Sequence, residues 1–381
     1  MKKLLLTACI LPLLYASLFF SGVDPKKQRQ IPYREIHSLI SDSFSIDQVS
    51  SKSELARLQL LPDRSLLGFD EMYRELRRYR YNATRRTYEV YLKQYIPYHI
   101  YTRALYISPG GNINIISGED SLYTYDKDLA LQQKSLITIA HSSMQNGFYP
   151  ASDNQHPVWQ KGDDVVTTYY YADMADYARY FTEPQFIRFS AAGSGNITAR
   201  PMVAKPAGLS RYHLAFPAFC YKNNTAYTIA PCYDTVYIHD MNTGADRKQY
   251  IGNAFYSKPH PFDNTLIGTE AFNAAHMKSY VSNFRYDGIY YNAHTGHFLL
   301  VFLKPLPERK DRMNTPDDQV LYGLVLDDRL NQLYYTMFPD NYYAPSCMIN
   351  VANKGFAIPY IIHPGQKNRH EKDIRYHVFD F

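Results

Sequence analysis

The chain has 381 residues, of which 45% are hydrophobic and 20% charged, and its net charge is +5. That is too apolar for a disordered chain and too weakly basic to mark a nucleic-acid binder, so neither class fits. Aromatic residues reach 15%, with 37 Tyr and 20 Phe, and tyrosine at this density favours strands, where the ring packs and the hydroxyl reaches an edge.

Residues 1–23 read as a signal peptide or membrane anchor. Lys2 and Lys3 precede an apolar run from Leu4 to Phe20 that is broken only by Thr7, Pro12 and Ser17. Such a segment enters the export machinery and takes no part in the fold. Its exit is open in three ways. It can stay as an anchor, since residues 4–23 supply roughly the 20 apolar positions that a span needs. It can be cleaved near residue 22, or it can be lipidated at Cys9 in "LTAC". Each outcome places the remainder outside the cytoplasm, and the expectation is a chain exported to the cell envelope and membrane-tethered, periplasmic or surface-exposed.

Residues 24–60 are predicted to be a polar tether with one strand around Ile31–Ile40. "SELARLQLL" (Ser53–Leu61) and "FDEMYRELRRY" (Phe69–Tyr79) are predicted as helices from charge spacings such as Glu71 with Arg74 and Glu75 with Arg78. Beyond residue 79 strand runs alternate with turn clusters. "NINIISGEDSLYTYDKDL" (Asn112–Leu129) aligns without a gap on "AYTIAPCYDTVYIHDMNT" (Ala226–Thr243), so that Asp126 meets Asp240. "LYGLVLDDRL" (Leu321–Leu330) and "IRYHVFDF" (Ile374–Phe381) repeat the second half, and "FIRFSAAG" (Phe186–Gly193) repeats it more faintly.

Repeating meanders of roughly 40–55 residues predict an all-β fold, a β-propeller over residues 61–381. Six blades centre near 79–92, 104–126, 163–190, 214–240, 284–327 and 345–381, with room for a seventh. The strand near Ile31–Ile40 would join the last blade and close the ring, which removes exposed edges. The competing fold is a large antiparallel sandwich.

"IYYNAHTGHFLLVFL" (Ile289–Leu303) spaces His294 and His297 as metal ligands can be spaced. It also matches "YRYNATRRTYEVYL" (Tyr79–Leu92), whose turn carries no histidine, so the pair is predicted to decorate a hairpin turn. A catalytic zinc needs three protein ligands, and no third lies nearby in sequence. Cys220 should pair across its strand near residue 226 while Cys232 falls in the next turn, which predicts no bond between them. Cys347 is left over.

The C-terminal third is more specific. The strands "Y-x-L-V-L-D" (Tyr322–Asp327) and "N-K-G-F-A-I" (Asn353–Ile358), with the terminal run Glu371–Phe381, resemble the closing blades of uncharacterised TolB-like six-bladed β-propeller lipoproteins of the Gram-negative envelope. The likeness spans residues 100–381 and implies a fold but no activity. Such proteins carry a lipobox cysteine, and Val23 stands where it would be.

Catalytic signatures are missing. "HEKDI" (His370–Ile374) has Ile374 where a zincin places its second histidine, and "AGSGN" (Ala192–Asn196) lacks the nucleophile-elbow frame. Asp163–Asp164 and Asp317–Asp318 read as solvated turns. The basic stretch Arg74–Arg103 reads as a solvated face with arginine stems over tyrosine rings, against a grip on phosphate or anionic glycan. "DSL" (Asp120–Leu122) and "DTV" (Asp234–Val236) match a short O-glycosylation pattern, or are plain Asx turns. "TTYYYADMADYARYF" (Thr167–Phe181) suits a sugar-stacking rim or packing between blades. No catalytic, metal-ligating or cofactor-binding residue is assigned, and no cofactor. The expectation is a binding or scaffolding module for a glycan or an envelope protein, with no nucleic-acid partner. A carbohydrate-active lyase or hydrolase on the same scaffold is the alternative, and a purely structural assembly subunit a third reading.

Overall fold

A computed structural model describes residues 31–49, 52–61, 63–117, 121–137, 148–171, 186–191, 198–200, 217–260, 263–266, 269–309, 311–315, 318–338, 347–351, 354–360 and 373–381. Residues 1–23, predicted as a targeting segment, with "AGSGN", Asp120, Asp317, the start of "HEKDI" and residues 172–181 of the tyrosine cluster lie outside them.

Strands come in antiparallel meanders. The N-terminal strand β1 is Ile40–Asp47. The first meander is β2 (Gln59–Leu60), β3 (Leu66–Asp70), β4 (Glu75–Asn82) and β5 (Thr87–Tyr95). The second is β6 (Thr102–Ile107), β7 (Ile113–Ser117), β8 (Ser121–Tyr125) and β9 (Leu131–Leu136). In the third, β10 (Phe148–Ala151) and β11 (Trp159–Lys161) both pair with β12 (Asp164–Tyr171), followed by β13 (Phe186–Ser190) and β14 (Thr198–Arg200). The fourth is β15 (Ala218–Lys222), β16 (Thr225–Ile229), β17 (Thr235–Asp240) and β18 (Asp246–Tyr250). The fifth is β19 (Arg285–Asn292), β20 (His297–Leu303), β21 (Leu321–Leu326) and β22 (Gln332–Met337). The last is β23 (Ile349–Val351), β24 (Gly355–Tyr360) and β25 (Asp373–Phe379), with β1 as its fourth strand.

The predicted closing strand is therefore present but lies further along the chain than Ile31–Ile40, because Ile36–Leu39 forms a 3-10 turn. β1 runs antiparallel to β25, with Ser43 opposite His377 and Ser45 opposite Arg375. Its far edge touches β5 in parallel at Ser45–Thr87 and Ile46–Tyr88, which joins the last meander and the first into one eight-stranded sheet.

The predicted helix over Phe69–Tyr79 is wrong: the segment is the β3–β4 hairpin. Leu67, Phe69 and Leu76 are buried at strand positions, and packing of that kind overrides charge spacing. The Asp70 carboxylate accepts the N–H groups of Met72 and Tyr73, and Arg74 takes a left-handed φ of 55°, so the chain reverses there. The Ser53–Leu61 helix shrinks to one turn, α1 (Lys52–Leu55), before β2 begins. A longer helix, α2 (Phe272–Ser282), precedes β19.

The self-matches correspond to a shared device. Asp126 ends β8 and its Oδ1 accepts the N–H groups of Asp128 and Ala130 at 2.8 and 2.9 Å. Asp327 does the same after β21 for Arg329 and Asn331. In both turns a buried leucine follows with left-handed φ, Leu129 at 62° and Leu330 at 66°. Asp240 caps the turn after β17 through Asn242 and Thr243.

Neighbouring meanders bury their faces on one another. Phe69 and Leu76 of the first meet Ile113 and Tyr123 of the second. Ile116 and Leu122 of the second meet Val165 and Phe189 of the third, and Val166 meets Phe219 of the fourth. Tyr227 of the fourth lies 4.7 Å from Phe298 of the fifth, ring to ring. Leu299 and Val301 meet Phe356 and Phe379 of the last, and Ala357 and Tyr376 return to Leu66 and Tyr79 of the first. The sequence of interfaces closes on itself.

Candidate functional site

The first strand of each meander is left at the edge of its sheet. These edges converge on one cavity of about 330 Å³. β2 contributes Gln59 and Leu60, β6 Tyr106 and Ile107, β15 Phe219 to Tyr221, β19 Tyr290 and Tyr291, and β23 Ile349 and Asn350. The third meander contributes Ser152, Asp153, Asn154, Pro157 and Val158, from the segment between β10 and β11. Two lining hydroxyls, those of Tyr106 and the half-buried Tyr221, have no hydrogen-bond partner among the described residues although both oxygens are shielded. Burial pushes both phenols up. The Cys220 thiol is pushed up for the same reason, and a protonated thiol is a poor nucleophile.

The 152–158 segment ties this centre together. Ser152 Oγ donates to the Leu105 carbonyl at 3.0 Å and accepts the Leu105 N–H at 2.8 Å. Asn154 reaches the carbonyls of Leu55 and Ala56, through Nδ2 at 3.3 Å and through its backbone N–H at 2.9 Å. Gln155 Nε2 donates to the Asp287 carbonyl at 2.7 Å, and the Phe219 N–H donates to the Gln155 carbonyl. One loop thus reaches the second, fourth and fifth meanders and the turn after α1.

Its shape comes from Asp153. The carboxylate Oδ1 accepts the backbone N–H groups of Gln155 and His156 and faces His156 Nδ1, each at 2.8 Å. His156 Nε2 faces the Pro217 carbonyl at 3.1 Å. Both ring nitrogens thus face oxygens within hydrogen-bonding distance, which fixes the orientation of the ring. Burial pushes the Asp153 carboxyl up, but the His156 charge and hydrogen bond, with the backbone N–H groups, outweigh it and hold the carboxyl below the usual range. Its folded pKa lies below its unfolded value of about 3.9. The stability it adds is present above that value and is lost as pH falls through the folded pKa. Asp153→Asn is expected to lower stability at pH 7 and to flatten the acid limb. Urea unfolding at pH 7 and pH 3 checks this, and an unchanged pH slope rejects it.

The residues singled out by sequence fall elsewhere. His294 and His297 sit on the β19–β20 hairpin, where Asn292 Oδ1 accepts the His294 N–H at 2.9 Å and Gly296 takes φ 74°. Among the described residues no three metal-ligating side chains gather. Cys220 lies opposite Tyr227 in β15–β16 while Cys232 lies in the following turn, and both are buried free thiols, as is Cys347. Asp164 pairs with Arg188, and Asp318 with Arg309 and Arg312. Ser121 of "DSL" is 2% exposed, so a sugar could not be attached in the folded protein. Asp234 of "DTV" is buried, accepting the Asn253 N–H and the Tyr286 hydroxyl.

The basic stretch divides. Arg80 over Tyr91, Arg103 over Tyr101 and Arg74 over Tyr98 are the expected stems on rings. Arg77 and Arg78 are not solvated: they are 5% and 2% exposed. Arg77 is locked to Glu54, Asp70 and Glu75, and Arg78 to Asp63 and the Ser65 hydroxyl. Sequence reasoning missed Asp153 and His156. Their one local signal is the polar run Asp153–His156 closing on Pro157, which looks like any turn.

No protein-family model matches the chain, and no curated protein matches it. Solved structures do. A member of the DUF4221 family from Bacteroides vulgatus superposes with a TM-score of 0.69 at 13% identity, covering 90% of this chain and 97% of that one. A protein from Bacteroides fragilis proposed to be exported superposes at 0.50 with 10% identity, covering 92% and 99%. At these identities the likeness is one of fold.

Proposed function

We propose that the chain is an exported, membrane-tethered, six-bladed β-propeller of TolB-like kind whose central cavity binds a small neutral ligand rich in hydroxyls, such as a glycan unit. Each meander is one blade, and β1 closes the ring as the outer strand of the last. The observation that supports the ligand reading is the lining: among the described residues, four tyrosines, two of them with unpartnered hydroxyls, surround the cavity with one carboxylate and no arginine or lysine. Tyrosine rings stack on apolar sugar faces while their hydroxyls supply hydrogen bonds, and the volume is at the small end of ligand pockets. Export agrees with the apolar first segment and with the description of the Bacteroides fragilis neighbour. Binding is favoured over turnover because both ring nitrogens of His156, which neighbours the cavity-lining Asp153, are taken up by oxygens.

Thermal unfolding against a panel of glycans and divalent metals tests the reading. A ligand at about 100 times its Kd adds roughly 2.7 kcal/mol. Tyr106→Phe removes an unpartnered buried hydroxyl, so without ligand it is expected to leave stability unchanged or slightly raised. With the active glycan it should lose most of the shift. A glycan that is consumed would establish the enzyme instead. No shift with any glycan would reject the small-ligand reading and turn attention to envelope partners by cross-linking.

A further inference from the structure

Arg285 opens β19 just after α2, and it is 5% exposed. Its Nη2 donates to Gln319 Oε1 at 3.3 Å. Its guanidinium carbon lies 3.2 Å from the centre of the Tyr280 ring. Among the described residues the remaining guanidinium nitrogens, Nε and Nη1, have no hydrogen-bond partner, and neither has Nε2 of Gln319, which is 1% exposed. Among the described residues no carboxylate comes within ion-pair distance of Arg285, and Asp287 acts on it only at longer range. Burial pulls the guanidinium down to about 10. His276 on α2 is likewise held below the usual histidine range, first by burial and then by the Arg285 charge.

Arginine keeps its proton in proteins. Taking an unpaired charge of this kind out of water is unfavourable, and one aromatic face offsets only part of that. Three unpartnered donors on two adjacent buried side chains add to the imbalance. One added group corrects all of these terms: a negative charge that accepts hydrogen bonds. We infer that Arg285 and Gln319, under Tyr280, form an enclosed binding site for a small anion, a halide or a carboxylate of acetate size. The donors are shielded from solvent, which excludes phosphorylated or polymeric anions. The site is separate from the central cavity, whose lining includes neither residue.

The test is thermal unfolding of the purified chain at constant ionic strength, with bulky gluconate exchanged for chloride, bromide or acetate. The midpoint is expected to rise by about 2 °C or more with the small anions, and Arg285→Met should abolish the dependence. Gln319→Leu, which keeps the charge, should weaken it and serves if Arg285→Met does not fold. Crystals soaked in bromide should show an anomalous peak within hydrogen-bonding distance of Arg285. Equal midpoints in all anions, the same anion dependence in Arg285→Met, or no bromide at Arg285 would each overturn the site.

Discussion

A chain lacking residues 1–47 is expected not to reach the native fold, whereas one lacking residues 1–30 should fold like the full protein. The difference is β1. Removing it strips β25 of its partner from Ile40 to Asp47 and leaves a long strand edge exposed in the last meander, a template for aggregation. It also takes Ile46, wholly buried, and Phe44, whose ring stacks on Tyr376 at 5.1 Å and meets Tyr88 edge-on at 5.2 Å. Those contacts span the junction between the last meander and the first. Circular dichroism and size-exclusion chromatography of the two truncations decide it. A monomeric, cooperatively unfolding 48–381 chain would show that the junction holds without β1.

The second large effect is at Arg77. Glu54 and Asp70 are wholly shielded, and Arg77 bridges them at 3.3 and 2.7 Å while also reaching the Gln48 carbonyl at 3.1 Å. The Tyr79 hydroxyl donates to the other oxygen of Glu54, and its phenol is pushed up first by burial and then by that carboxylate. Arg77→Met would leave two carboxylates buried without their cation, and breaking such a network costs about 3–5 kcal/mol. Replacing the whole set, as Arg77→Met with Glu54→Gln and Asp70→Asn, should cost less than the single change, because no charge is then stranded. Urea unfolding of both variants makes the comparison. A single variant within about 0.5 kcal/mol of wild type would mean that the network contributes little.

The Arg77 network also explains why the basic stretch misleads when read along the sequence. Arg77 and Arg80 differ by three positions and look alike, yet one is sealed between carboxylates and the other lies over Tyr91 at the surface. Beyond Glu75 on its own strand, the partners of Arg77 are Glu54, in α1, and Asp70, on the neighbouring strand, and only the fold brings those two to it.

What the sequence by itself determined is whatever depends on local chemistry. Period-two alternation placed the strands, Asn292 and Gly296 made a hairpin of the histidine pair, and the Asp of "YDKDL" and "LDDRL" ended a strand each time by capping its own turn. These hydrogen bonds close within a few residues, so the sequence can show them. Tertiary structure decided the rest. It turned Phe69–Tyr79 into a hairpin because burial of Leu67, Phe69 and Leu76 outweighs the charge spacing of an isolated helix. It chose Ile40–Asp47 over Ile31–Ile40 as the closing strand through its register with β25. It also assembled both candidate sites, the tyrosine-lined cavity from five separate strand edges and the loop between β10 and β11, and the Arg285 site from residues of α2, β19 and the loop before β21. Convergence across hundreds of residues leaves no mark on any one segment, because the groups that meet are selected by packing of the whole ring and not by their neighbours in the chain.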